Sequence, residues 1–296
     1  MTVKISPGLS RRTLLARVGA VSAAVLAGGC QPVAGCAPVR TGLQLYSVRD
    51  AMMISVPQTL ERVAMLGYGA VEFAGYFDQS PVQIAGLLAA NGLVAPSAHV
   101  DARQARLDPA RIVADGVAAG HDYLVIAWIP PEDRTSLSDW QAWADVLNRF
   151  GEACRSAGLR CAYHNHDFEF ADANAGSTPS GLTPWAVLQA RCDPQLVAFE
   201  IDTYWAGRAD QDAAALVAAA PERFPLCHIK DHHGDGSMAV LGEGMADFGP
   251  VLAARGAAGF VQCYAELDNP DQPFGFAATA QPALRALLQA NRACPE

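Results

Sequence analysis

Several short apolar runs in this 296-residue chain end in side chains that could do chemistry. Glu72 closes one run and His99 the next, and His164 and His166 close another inside "CAYHNHDFEF". Glu200 and Asp202 follow in "FEIDTYW", His228, Lys230 and Asp231 in "CHIKD", and Glu266 and Asp268 in "YAELD". Burying such groups costs several kcal/mol unless they are paired or bind metal. Stability alone therefore does not explain why most of the runs turn polar at the same end. Convergent His, Asp and Glu side chains suit a divalent cation. The mixed nitrogen and oxygen donors, with no cysteine ligand in evidence, favour Mn²⁺, with Mg²⁺, Co²⁺ and Zn²⁺ as alternatives. Singly, each residue has a plainer use. His99 could hydrogen-bond within a core, Glu72 could cap a helix, Lys230 and Asp231 could be a surface pair, and "DHH" at 231–233 is expected in solvent. The joint placement carries the signal.

The elements that must position these groups alternate. Strand-like runs fall at 43–46, 70–73, 94–100, 123–127, 160–164, 196–201, 226–229 and 260–266. Helical spacing lies between many of them. "SPVQIAGLLAANG" opens on Ser-Pro and closes on Asn-Gly, Asp108 and Pro109 read as N-cap and first helical residue, and a long helix runs from Ser136 to Gly158. Eight βα repeats predict a parallel sheet closed into a single (β/α)₈ TIM barrel. No GxGxxG follows the first run, which removes the main support for dinucleotide binding. The irregular stretches 171–181 and 231–244 follow strands and are expected at the C-terminal face, where such barrels build active sites. His164 and His166, two apart, share one side of their strand.

Residues 1–36 read as an export signal preceding a barrel over 37–296. Arg11 and Arg12 form a twin-arginine pair before a weakly apolar alanine-rich run, which predicts Tat export to the periplasm. "LAGGC" and "VAGC" end at Cys30 and Cys36 like lipoprotein cleavage boxes, so a lipid anchor stands beside ordinary cleavage. That segment holds Lys4, Arg11, Arg12 and Arg17 and no acid, which leaves 17 bases against 30 acids, a net of −13. Such a balance excludes nucleic acid as a partner and offers no electrostatic grip on anionic lipid. The six later cysteines are scattered with no CxxC and read as buried thiols.

"GLQLYSVRD", "GYGAVEF", "SAHV", "AYHNHDFEF", "FEIDTYW", "HIKD", "LGEG" and "YAELD" occur in this order over residues 40–292. The ordered set resembles the sugar phosphate isomerase/epimerase superfamily of xylose isomerase-like TIM barrels, and most of all its exported branch with a His-Asn-His fifth strand. The resemblance implies one divalent metal held by Asp202, His228 and Glu266. His164 stands where relatives keep a glutamate ligand. A histidine there must bind metal, act as base, or do both, and Glu200, one layer deeper, could substitute as acid or ligand.

The implied reaction is proton abstraction next to the carbonyl of an unphosphorylated sugar or keto-sugar, through an enediolate stabilised by the metal. Glu266 or His166 would be the base. Lys230 and His99 would stabilise oxyanions or hold hydroxyls, and Glu72 would contact substrate. Trp128, Phe73, Tyr204 and Trp205 offer faces for a sugar ring. Isomerisation or epimerisation is the first expectation. Elimination from a 3-keto-glycoside or an inosose is the rival, and a non-catalytic periplasmic sugar-binding barrel is the non-enzymatic alternative.

Overall fold

The computed structural model describes residues 40–172, 181–256 and 259–291. The expected signal at 1–36 and Cys294 lie outside them. Eight strands, β1 (Gly42–Gln44), β2 (Ala70–Ala74), β3 (Val94–Val100), β4 (Tyr123–Ile126), β5 (Arg160–His164), β6 (Val197–Asp202), β7 (Leu226–Ile229) and β8 (Gln262–Ala265), close into one barrel. Every neighbouring pair is parallel, and β1 closes the ring against both β2 and β8. The closed barrel is the fold expected from the alternation.

Helix starts follow their caps. Ser80 and Ser136 each form a capping box, before helices Pro81–Ala90 and Leu137–Ser156, and the Asp108 carboxylate accepts from Arg111 N ahead of Pro109–Ala119. Three differences from expectation matter. β1 ends at Gln44, because residues 45–48 turn into a 3-10 helix whose first N–H groups need a cap, and Gln44 Oε1 accepts from Tyr46 N. A helix over Pro184–Arg191, capped by Thr183, fills the β5–β6 crossover, where no helix was expected. The 231–244 segment carries a two-residue antiparallel ladder, 231–232 with 238–239.

Period-two alternation divides each strand between two cores. Outward residues such as Phe73, Ile126, Cys161, Tyr163, Phe199 and Ile229 pack under the helices. Inward residues Tyr123, Val125, Ala162, Ala198, Leu226 and Tyr264 form a separate apolar plug. Cys154, Cys161, Cys192, Cys227 and Cys263 are buried free thiols, as their apolar settings predicted. No helix among the described residues is long and apolar enough to cross a membrane.

Candidate active site

Above the plug, the next inward side chains form a buried polar floor. Gln44 Nε2 donates to Glu72 Oε2 at 2.7 Å, and His228 Nε2 lies 2.6 Å from the same oxygen. His99 Nε2 sits between two carboxylates, 2.9 Å from Glu200 and 3.1 Å from Glu72. His164 Nδ1 lies 3.0 Å from Glu200 Oε2. Burial opposes ionisation of Glu72, but His99 and His228 hold its carboxyl well below the usual range. Burial and Glu72 likewise oppose Glu200, which His228 and His164 hold at about 2. Burial disfavours charge on His99, yet Glu72 and Glu200 raise it to about 9. The floor is thus two carboxylates bridged by an imidazolium.

One layer higher, the same two histidines present their other nitrogens. His164 Nε2 lies 3.5 Å from Asp202 Oδ2, and His228 Nδ1 lies 2.6 Å from Glu266 Oε2. Lys230 Nζ spans the acids, 3.0 Å from Asp202, 2.9 Å from Glu266 and 2.6 Å from Asp268. Side-chain exposure is nil at Glu72 and Glu200, 6% at Glu266 and 20% at Asp268, so this upper layer lies toward the mouth.

Carboxylates only accept hydrogen bonds. The ring nitrogens facing Glu200 and Glu72 therefore carry protons; His164 Nε2 is left as a lone pair, whereas His228 Nδ1, 2.6 Å from Glu266 Oε2, also carries a proton and would give it up on binding a metal. Such a carboxylate beneath an imidazole fixes the tautomer and orientation of metal-bound histidines. Burial keeps His164 neutral, with its pKa well below the usual value. Burial also disfavours charge on His228, but Glu200, Glu266 and Glu72 outweigh it and hold the ring cationic.

Donor atoms of Asp202, His228 and Glu266 lie within 4.8 Å of one another, and so do those of His99, His164, Glu200 and His228. The lower set balances its acids against His99 and His228, although Glu72 Oε1 and Glu200 Oε1 receive no hydrogen bond. In the upper set, buried Asp202 Oδ2 receives no aligned hydrogen bond despite its charged neighbours. Burial raises this carboxyl to about 6, against the pull of Lys230 and His228. An under-satisfied buried carboxylate beside two imidazoles and a second carboxylate fits a divalent cation of the Mn²⁺ or Zn²⁺ type.

His166, just past β5, forms the wall. Its ring stacks on Phe168 at 5.2 Å, meets the edge of Trp128 at 5.2 Å and lies 5.5 Å from Trp205. Its buried Nδ1 has no partner. Burial, then the Lys230 charge, lowers its pKa to about 3, so the ring is neutral. Its backbone N donates to Glu169 Oε2 at 2.8 Å, and Glu169 Oε1 accepts from Tyr163 at 2.6 Å. Asn165 Oδ1 accepts from Asp202 N at 2.9 Å and ties the β5 end to the β6 end.

The structure brings His164, His166, Asp202, His228, Lys230 and Glu266 together in the upper layer. It places Glu72 and Glu200 beneath, enclosed and turned to imidazoles; for Glu200 that is the deeper layer expected of it, while buried Glu72 does not reach the mouth where a substrate contact was expected. His99 sits on them with 15% of its side chain exposed, which leaves its expected contact with substrate hydroxyls open. Period two is the reason, since a residue two positions before the ligand layer lies one level deeper. Trp128 and Trp205 flank His166, and Trp128 is about half exposed. Tyr204 donates its hydroxyl to Gly236 O at 3.0 Å and lines a cleft between 231–244 and 267–276, whereas Phe73 faces the outer core beside Tyr76 and does not offer the sugar face expected of it. Asp231 is buried rather than solvated and accepts from the backbone N of His232, Gly242, Gly244 and Ala246. Gln44 went unrecognised in the sequence, because a glutamine inside an expected strand carries no signal until its partner Glu72 is known.

The family described as "Xylose isomerase-like TIM barrel" matches residues 60–287. An inosose dehydratase of Geobacillus kaustophilus (strain HTA426) is 25% identical over 236 residues, 66% of this chain and 74% of that protein. An inosose dehydratase of Salmonella typhimurium (strain LT2) is 23% identical over 242 residues, covering 66% and 75%. Among solved structures, a sugar phosphate isomerase/epimerase from Parabacteroides distasonis ATCC 8503 superposes with a TM-score of 0.73 at 24% identity, covering 86% of this chain and 96% of that one. The IolI protein with a binding zinc atom superposes with a TM-score of 0.66 at 13% identity, covering 86% and 100%.

Proposed function

This chain belongs to the xylose isomerase-like TIM barrels, and we propose that it is a metal-dependent sugar-modifying enzyme that removes a proton next to a carbonyl. One observation carries the reading. His164 and His228 each stand on a buried carboxylate and turn the opposite ring nitrogen toward Asp202 and Glu266. A divalent cation held by His164, Asp202, His228 and Glu266 would supply a Lewis acid for the substrate carbonyl.

The chain's own groups do the rest. His166, with its buried Nδ1 unpartnered beside the ligand layer, accepts the proton. Glu266 stays in the ligand layer, because its Oε2 is shared by His228 and Lys230. The Lys230 ammonium stabilises the developing oxyanion. Trp128 and Trp205 offer apolar faces beside His166. An unphosphorylated sugar or keto-sugar suits this acidic site.

The enediolate can be reprotonated or can expel a leaving group. Reprotonation on the opposite face needs a second base. His164 does not supply one, with Nδ1 on Glu200 and Nε2 toward Asp202. This observation favours elimination over epimerisation, and the curated relatives named inosose dehydratase point the same way. Incubation with a 3-keto-glycoside or an inosose in deuterated water tests the reading, with and without Mn²⁺ or Zn²⁺. Metal-dependent C–H exchange with release of alcohol or water is expected. Sugar binding with no exchange would refute an enzyme. We also propose Tat export to the periplasm. A reporter carrying residues 1–36 should be exported and should lose export when Arg11 and Arg12 become lysine.

A further inference from the structure

A cleft of about 700 Å³ opens beside the ligand layer, between the segments 231–244 and 267–276. Trp205 and Asp268 are common to both: Asp268 holds Lys230 at 2.6 Å, and Trp205 lies 5.5 Å from His166. Both walls are built in advance. One hangs on buried Asp231, whose carboxylate accepts from four backbone N–H groups. A Cβ at Gly244 would run into that carboxylate. The other wall is clamped by Arg49, which donates to Asp268 O at 2.6 Å and Asn269 Oδ1 at 2.6 Å, and by Ser47 Oγ, which accepts from Leu267 N. The lining mixes apolar Met238, Val240 and Phe276 with polar Ser237, Asn269 and Gln272. Glu243, Asp268 and Asp271 make it acidic, and among the described residues His233 is its one cation-capable side chain.

From these features we propose that the cleft is a leaving-group subsite for a second, neutral polyhydroxylated ring, so that the substrate is a keto-glycoside of at least two rings. The volume is on the scale of a site for a ligand larger than one sugar ring, within roughly 300–1,000 Å³. Apolar patches among hydrogen-bonding groups match a sugar, and the acids repel phosphates and uronates. The inference rests on the proton-abstraction reading. His166 takes the proton from the carbon between the carbonyl and the glycosidic carbon. The electron pair forms a C=C bond as the glycosidic C–O bond breaks. The departing oxygen enters the cleft and takes a proton from water there, while His166 returns its proton to solvent, which gives an alcohol and an unsaturated keto-sugar.

The test compares 3-keto-trehalose with methyl 3-keto-α-glucopyranoside on the metal-loaded full chain. The two-ring probe should show kcat/KM at least about tenfold higher, because binding in the cleft is used at the reacting centre. Met238 and Thr279 both line the cleft, Thr279 from the helix Pro273–Ala290, so Met238→Trp and, independently, Thr279→Trp should bring the ratio toward one. Equal kcat/KM for the two probes, or a ratio unmoved by both variants, would overturn the subsite and leave proton abstraction standing. If neither probe turns over, their Kd values decide. Tighter binding of two rings keeps the subsite and removes the reaction, and equal binding removes both.

Discussion

Glu200→Gln tests the two-layer arrangement most directly. In the wild type, Glu200 Oε2 faces His164 Nδ1 at 3.0 Å, His99 Nε2 at 2.9 Å and His228 Nε2 at 3.2 Å. A glutamine has one acceptor oxygen and presents N–H donors on the other side. Its one oxygen can take the place of Oε2, which all three rings face, but as a neutral amide it removes the charge that balances His99 and weakens the pull on their protons. His164 then has less reason to keep its proton on Nδ1, and the tautomer with the proton on Nε2 turns a donor toward Asp202 where a lone pair is needed. Loss of such a supporting partner costs about 10–100-fold in metal affinity, or about 1.4–2.8 kcal/mol. Competition with a fluorescent chelator should show Zn²⁺ or Mn²⁺ binding weakened by that factor in Glu200→Gln, and weakened further in His164→Ala. If His164→Ala binds metal weakly while Glu200→Gln matches wild type, the carboxylate does not position the ligand. If His164→Ala also matches wild type, His164 is not a ligand.

Other perturbations follow from the same geometry. Lys230→Met removes the ammonium from Asp202, Glu266 and Asp268. The metal-free protein should lose about 3–5 kcal/mol, partly restored by added Zn²⁺ in thermal melts; a variant as stable as wild type without metal would contradict the pairing. Burial raises Glu169 to about 7, against hydrogen bonds from Tyr163 and His166 N. A raised folded-state pKa contributes stability that is whole below about pH 4.5 and is lost as pH rises through about 7. Urea titrations of wild type and Glu169→Gln should therefore show a stability difference that falls by about 3 kcal/mol over that window, and a pH-independent difference would refute the buried acid. Gly42→Ala would drive a Cβ to 2.5 Å from Tyr264 Cδ1 and 2.6 Å from Cys263 O at the β1–β8 closure. About 1–3 kcal/mol of stability should be lost, and an unchanged melting temperature would show that the closure has slack.

The alternation of runs and helices, with Ser80, Asp108 and Ser136 as caps, was enough to identify a barrel. Hydrophobic periodicity and capping are local, and local chemistry is written in consecutive residues. Helix 184–191 escaped because it follows an irregular stretch and is short, so its Thr-Pro start had little periodicity behind it. The chemical residues were legible for a related reason. An apolar strand that ends in His, Asp or Glu is costly unless another strand answers it, so the types alone announced a converging site. The spacing in "FEID" already put Glu200 one layer below Asp202, but what the sequence by itself could not assign was the partner each meets: Glu200 lies under His164 Nδ1 and Asp202 beside its Nε2. Which nitrogen of His228 meets Glu72 and which meets Glu266 depends on strands more than 150 residues apart in sequence for the first and 38 for the second. Barrel closure sets those distances, and only the tertiary structure separates the layer that would hold a cation from the layer that holds its ligands in place.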